Sequence, residues 1–225
     1  MEINIYHGSH NLIEKPQFGY GKKNNDYGLG FYCTESIDMA KEWAVDSDID
    51  GIANAYSLNL DGLTLLDLNS DEYCILEWLV ILLKNRRFDI QSDFGKEAID
   101  YLYKYFSIDY VSYDVIKGYR ADDSYFSFAQ DFLNNIISIN TLKRAMMLGR
   151  MGEQIVIKSK DAFDHLKFKE SVLVESKKWF PQKENRDKKA RNDYFELRQL
   201  PWKKGEIYMM QILDMEIKKD DARLR

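Results

Sequence analysis

Apolar and polar residues alternate over positions 2–6 (Glu-Ile-Asn-Ile-Tyr), which predicts a short strand ended by His7-Gly8-Ser9. Residues 10–30 show no period and are rich in Gly, Asn and Lys, the composition of a long loop. Gly28-Leu29-Gly30 then opens a second strand, Phe31-Tyr32-Cys33-Thr34. Ser36 stands where a helix cap is needed, ahead of Met39, Ala40, Trp43 and Ala44 at helical spacing. Alternation returns at 53–60, and Leu63–Leu68 is an apolar strand. Helical stretches run from Asp71 to about Lys84 and over Gly95–Phe106; their narrow polar faces predict an insert packed against the sheet. Val111–Tyr119 reads as strand, and Asp122 or Asp123 caps the following helix. There Tyr125, Phe128, Ala129, Phe132 and Leu133 mark one buried face. Ser138 and Gly149 bracket a helix containing Leu142, Ala145 and Met146. After Gly152, Glu153-Gln154-Ile155-Val156-Ile157 is the best strand signal in the chain. Residues 160–166 predict a short helix and Val172–Val174 a strand. Pro181 begins a charged helix over Lys183–Arg198. Strands and helices mix without regular βαβ alternation, so the expected class is α+β.

The 225 residues suit one domain with an elaboration. We expect a domain over 1–175, with the helical insert at about 71–107, and a charged extension over 176–225. The apolar share of 45%, with 12 Phe, 15 Tyr and 4 Trp, can build a core. No leader is visible, and the apolar run Cys74–Leu83 is too short to span a bilayer, so a cytoplasmic protein without membrane contact is expected. Cys33 and Cys74 make neither a disulfide framework nor a zinc cluster, and no metal is expected. The net charge of −5 argues weakly against general nucleic-acid binding. The charge is uneven. Lys177–Lys204 holds ten Lys/Arg and four Asp/Glu, a balance of +6, leaving −11 elsewhere. That stretch is either a solvated helix or a basic arm steering a phosphate-rich target, with the steep salt dependence of phosphate contacts.

Three places carry candidate chemistry. His7, between a strand and a glycine, either reaches a ligand at the strand end or is satisfied structurally. Gly28-x-Gly30 permits close backbone approach but is no dinucleotide fingerprint, which needs a strand before it and a helix after it. Glu153 and Gln154 open an apolar strand and point to opposite faces, so one of the two meets a cleft or a solvated end. There is no Walker loop, no Cys/His spacing for zinc and no Gly-x-Ser-x-Gly elbow.

Taken together, these segments resemble a family. Tyr6-His7-Gly8-Ser9 resembles the first motif of ADP-ribosyltransferases of the diphtheria-toxin and poly(ADP-ribose) polymerase type. Gly28-Leu29-Gly30-Phe31-Tyr32-Cys33-Thr34-Glu35-Ser36, followed by Ala40, resembles the second, and Glu153-Gln154-Ile155-Val156 the third, in the family's order. A closer resemblance is to uncharacterised bacterial domains often assigned to the same superfamily. It is carried by Gly118-Tyr119-Arg120-Ala121-Asp122-Asp123-Ser124-Tyr125-Phe126 and by Leu148-Gly149 leading into Gly152-x-Gln154, and it covers most of residues 2–198.

The resemblance implies a split β-sheet core and NAD as substrate. His7 would hydrogen-bond the ribose of the adenosine half, Gly8 would hold the nicotinamide amide through its backbone, and Tyr32 would stack on the nicotinamide ring. Glu153 would hold the nicotinamide ribose and face the cationic centre. The catalytic set is thus Glu153, Gln154, His7 and Tyr32, with Gly8, Ser9, Gly30 and Arg120 completing NAD contacts. In the closer family the glutamine is the constant member of the pair, which makes Gln154 the alternative cleft residue. Trp43 is the nearest counterpart of a second aromatic wall, or a core tryptophan. Arg120 and Asp122 would line the cleft mouth, or pair as helix cap and partner. The implied activity is mono-ADP-ribosyl transfer to a macromolecular acceptor, protein or nucleic acid, as a toxin or regulatory enzyme with an antitoxin or regulatory partner. The alternatives are a non-catalytic module binding NAD, a nucleotide or a protein, and an NAD glycohydrolase.

Overall fold

In the computed structural model, β1 (Glu2–Ser9), β3 (Gly51–Asn59) and β7 (Leu166–Val174) form an antiparallel sheet of order β1-β3-β7. A second sheet, of order β2-β6-β5-β4, contains β2 (Phe31–Cys33), β4 (Leu65–Asp67), β5 (Val115–Tyr119) and β6 (Glu153–Ile157). Only its β4–β5 pair is parallel. The sheets meet where Tyr6 and Thr34 exchange backbone hydrogen bonds of 2.8 and 2.9 Å. The structure describes residues 1–121, 123–148 and 153–224. The expected roles of Asp122, Gly149 and Gly152, and of the Asp123 and Tyr125 side chains, lie outside the described residues. The α+β class holds.

The two faces of the second sheet are covered differently. Cys33, Val115, Ile155 and Ile157 pack on Ile5, Tyr56 and Leu58 of the first sheet. Val156 and Ile116 face a helical layer. At its centre is α2 (Ile75–Asn85), buried at every position from Ile75 to Leu83, as a helix apolar all round must be. It begins at Ile75 rather than Asp71, because the Glu77 carboxylate accepts the Cys74 N–H at 2.8 Å and closes the first turn there. Around it lie α3 (Asp93–Tyr105), α4 (Asp123–Leu133) and α5 (Ile139–Met146). Within the expected insert at 71–107, α2 is thus buried from Ile75 to Leu83, while α3 turns only Gly95, Ala98 and Leu102 fully inward. Among the described residues no helix is long and apolar enough to cross a membrane.

α1 (Ile37–Ala44) is capped as expected, Ser36 Oγ accepting from Met39 N–H. It packs so tightly on β1 that a Cβ at Gly8 would lie 2.0 Å from the Ala40 carbonyl oxygen and 2.7 Å from Ala44 N. Gly8 therefore does not end the strand, as predicted, but lets it pass under the helix. His7, Gly8 and Ser9 all remain in register with β3, opposite Asn54, Ala53 and Ile52.

β5 starts at Val115 rather than Val111, since Asp109 Oδ1 accepts from Val111 and Ser112 N–H and turns the chain there. A short helix, α6 (Lys160–Asp164), then leads into β7, which extends from Leu166 and is longer than the expected Val172–Val174. α7 (Ser176–Arg198) starts five residues before Pro181. Its start is fixed by Ser176, whose N–H donates to Asp50 at 2.7 Å and whose hydroxyl donates to the Asp46 carbonyl at 2.6 Å. Trp179 and Phe180 pack on Ala40, Ala44, Val45 and Val174. Farther on, Ala190, Tyr194 and Leu197 enter the helical core. So do Met209 and Ile212 of α8 (Met209–Asp214), a helix that the sequence did not announce. The expected boundary at 175/176 thus separates two parts of one core.

Candidate functional site

The loop of residues 10–30, the ends of β1, β2 and β6, and one row of α7 enclose a cleft of about 730 Å³, of the size that holds small ligands. His7, Gly8, Gly30, Tyr32, Arg120 and Gln154 all line it. Ser9 does not; its hydroxyl donates to the Asn11 carbonyl at 2.6 Å.

Each lining group is held by its neighbours. His7 Nδ1 lies 2.7 Å from the Tyr32 carbonyl oxygen. A carbonyl only accepts, so Nδ1 carries the proton. Burial lowers the imidazole pKa, so the neutral ring presents Nε2 as an acceptor. Its ring also lies 4.4 Å from Phe31, centroid to centroid. Tyr32 is clamped at its far end: its hydroxyl donates to the Gly28 carbonyl at 2.6 Å and accepts the Tyr27 N–H at 3.1 Å. Gly28 makes this turn at φ +76°, a conformation open to glycine. Gly30 has no room for a side chain, since a Cβ there would lie 2.6 Å from Val156 Cγ1. Trp43 is half-buried and serves both readings, packing against the helical core while lining the cleft, with the Arg120 guanidinium 4.5 Å from its ring centroid.

The strand β6 separates its first two residues. Gln154 stands on the face of Val156 and Tyr32, is 5% exposed and enters the cleft. Glu153 takes the opposite face, that of Ile155 and Lys117. Its carboxylate lies 2.8 Å from Lys117 Nζ and accepts from Asn69 Nδ2 at 2.6 Å. The expectation that Glu153 faces the cleft is corrected on this geometry: the register sends its side chain the other way, into an ion pair.

Several cleft residues carry no sequence signal. Asp26, from the aperiodic loop, is 5% exposed. Its Oδ2 accepts from Ala121 N–H at 2.9 Å and from Gln154 Nε2 at 3.2 Å, and its Oδ1 lies 3.7 Å from Arg86. Lys183, Asp187 and Arg191 line the far wall from α7 at helical spacing of four. A charged helix over Lys183–Arg198 was legible, but its facing a cleft was not. Cations outnumber carboxylates among the lining residues: Lys22, Arg86, Arg120, Lys183 and Arg191 against Asp26 and Asp187. A chain of net charge −5 thus concentrates positive charge in its cleft, which favours an anionic ligand. Gln154 Oε1 and Trp43 Nε1 are buried and find no hydrogen-bond partner among the described residues.

The loop over the cleft hangs on Asn54, which is fully buried. Asn54 Oδ1 accepts from Ile13 N–H at 2.9 Å and Nδ2 donates to the Asn11 carbonyl at 3.2 Å, while the Tyr56 hydroxyl donates to the Ile13 carbonyl. Asn54→Ala is expected to cost about 1–3 kcal/mol, the penalty of orphaned buried groups. It should also speed amide exchange at Ile13. Unchanged exchange there would show that Asn54 does not hold the loop.

The family model described as "Protein of unknown function (DUF3990)" matches residues 3–168 of the 225. The chain belongs to this family. The matched span begins inside β1, runs through α6 and ends inside β7, so α7 and its three cleft residues lie beyond it. No curated protein matches the chain, and no solved structure does.

Proposed function

We propose that the cleft binds NAD and that the protein is a mono-ADP-ribosyltransferase acting on a macromolecular acceptor. The observation that carries this reading is the convergence of His7, Gly8, Gly30, Tyr32, Arg120 and Gln154 on one cleft with surplus positive charge. All but Arg120, which belongs to the Gly118–Phe126 run, come from the three segments that resemble ADP-ribosyltransferase motifs, and the two sheets joined at Tyr6 and Thr34 are compatible with the split core of that superfamily. The Nε2 of neutral His7 suits a ribose hydroxyl donor, and the clamped Tyr32 ring suits stacking on nicotinamide. The cationic wall suits the pyrophosphate.

In the proposed reaction the bond between the ribose carbon and the nicotinamide nitrogen breaks. Both electrons leave with nicotinamide, which becomes neutral. The sugar passes through an oxocarbenium-like state, a nucleophile of the acceptor attacks the same carbon, and its proton goes to solvent. Negative potential near the sugar stabilises that state.

One observation favours a second reading, a module that binds NAD without cleaving it: the Glu153 carboxylate is turned out of the cleft. Calorimetric titration with NAD, beside an assay of nicotinamide release with cell lysate as acceptor source, separates the two. Binding with release is the expected result. Binding without release supports the module, and absence of binding overturns both.

A further inference from the structure

With Glu153 turned away, the cleft still contains a buried carboxylate beside the glutamine. Gln154 Nε2 donates to Asp26 Oδ2 at 3.2 Å, which fixes which end of the carboxamide points where. The nitrogen is engaged by Asp26, and Oε1 is left buried with no partner among the described residues. Both residues line the cleft and both are only 5% exposed. Asp26 is itself held from two directions, by the Ala121 N–H and by Arg86. It also directly precedes Tyr27 and Gly28, whose backbone clamps the Tyr32 hydroxyl, so one loop end sets both the aromatic wall and the free acceptor.

A carboxamide whose N–H group donates to a carboxylate becomes more negative at its oxygen, and it cannot flip without losing that bond. We infer that Asp26 is the positioning residue of this site: it aims Gln154 Oε1 into the cleft and gives the Asp26–Gln154 pair the negative charge that Glu153 does not supply. The inference rests on the NAD reading for its reaction, and on the geometry of the pair for its charge. A carboxylate acting through a glutamine would stabilise a developing cation as a fixed dipole backed by that carboxylate, whose pKa burial pushes up while the Ala121 N–H, the Arg86 and Arg120 guanidiniums and the Gln154 amide pull it down.

The test moves the charge by one side chain. Asp26→Asn keeps an acceptor for the Ala121 N–H and removes the charge. The double variant Asp26→Asn with Gln154→Glu puts the charge back one position along the same contact. Asp26→Asn is expected to lower kcat for nicotinamide release by about tenfold or more, with KM for NAD changed less than about threefold, because the loss falls on the transition state. The double variant should recover most of that loss. Gln154→Glu alone sets two carboxylates against each other and should gain nothing. In nitrogen-edited NMR spectra the side-chain carboxamide signals of Gln154 should shift in Asp26→Asn while the melting transition stays cooperative. A merely structural Asp26 would instead lower the melting temperature without rescue in the double variant. An unchanged kcat in Asp26→Asn, or a double variant no better than the single one, overturns the inference. If the unaltered protein binds NAD and releases no nicotinamide, the reaction is refuted separately. The pair is then judged on the spectra: unmoved Gln154 carboxamide signals in Asp26→Asn refute it, and shifted signals uphold it.

Discussion

A chain ended after Glu175 is expected to lose cooperative folding altogether. Sequence composition makes 176–225 resemble a solvated appendage, ten Lys/Arg and four Asp/Glu over Lys177–Lys204. In the structure this segment closes the core. Tyr194 stacks on Phe128 at 3.7 Å between centroids, and its hydroxyl donates to Asp131 at 2.6 Å. Leu197, Met209, Ile212, Ile217 and Leu224 are buried in the cluster that contains α2, α3, α4 and α5. Removing them would expose apolar faces on four helices. Burial of each large side chain contributes about 1.5–3 kcal/mol, so the loss over six such residues rivals the whole stability of a domain, about 5–15 kcal/mol. The residues expected to suffer first are those of α4 and α5, which would lie against water on one side. A circular-dichroism melt of residues 1–175 decides the matter: a sharp transition near that of the full chain would mean that the helices close without α7 and α8.

The second large effect concerns the two neighbours at the start of β6. Gln154→Ala is expected to reduce nicotinamide release by about a hundredfold, the scale of removing one preorganised electrostatic group. Glu153→Gln should leave turnover within a few-fold, because its carboxylate lies on the other face, paired with Lys117. Its cost appears in stability instead. The pair is partly solvent-exposed, 25% for Lys117 and 37% for Glu153, so the expected loss is at most about 1 kcal/mol. Steady-state rates and melting curves of the two variants answer both halves. A hundredfold loss in Glu153→Gln with a near-normal Gln154→Ala would mean that the strand presents its other face to NAD.

That pair also shows where sequence reasoning stops. β6 itself was legible from Ile155-Val156-Ile157, and so were the caps at Ser36 and Ser138, whose hydroxyls accept from Met39 and Thr141 N–H. The face of β6 was not legible, because both of its faces are apolar: Val156 meets helices, while Ile155 and Ile157 meet the other sheet. Periodicity distinguishes core from solvent, and here there are two cores. Gly8 failed for a related reason. A glycine after a strand reads as its end, and only the position of Ala40 and Ala44 turns it into a close crossing. Asp26 and Asn54 left no local trace, since one lies in an aperiodic loop and the other in an alternating strand, and their partners lie 95 and 41 residues away at Ala121 and Ile13. Pro181 misled because a proline is expected in the first turn of a helix. Here the side-chain anchors of Ser176 and the packing of Trp179 and Phe180 carry the helix past it.

The row Lys183, Asp187 and Arg191 has a consequence for how such proteins can diverge. These three side chains form one wall of the cleft, yet they lie beyond residue 168, where the family match ends. Lys183 reaches back to the Val45 carbonyl at 3.1 Å and lies 3.8 Å from the Asp46 carboxylate, and Arg186 beside it pairs with Glu42 at 2.7 Å, so the wall is docked on the matched span through both backbone and side chains. A carbonyl oxygen does not depend on which side chain its residue carries, but the Asp46 and Glu42 carboxylates do. Rewriting the charge of this wall therefore also rewrites its attachment, since Lys183 holds the Val45 carbonyl and Asp187 pairs with the Arg186 that grips Glu42, while the residues that build the sheets, clamp Tyr32 and aim Gln154 lie on other elements.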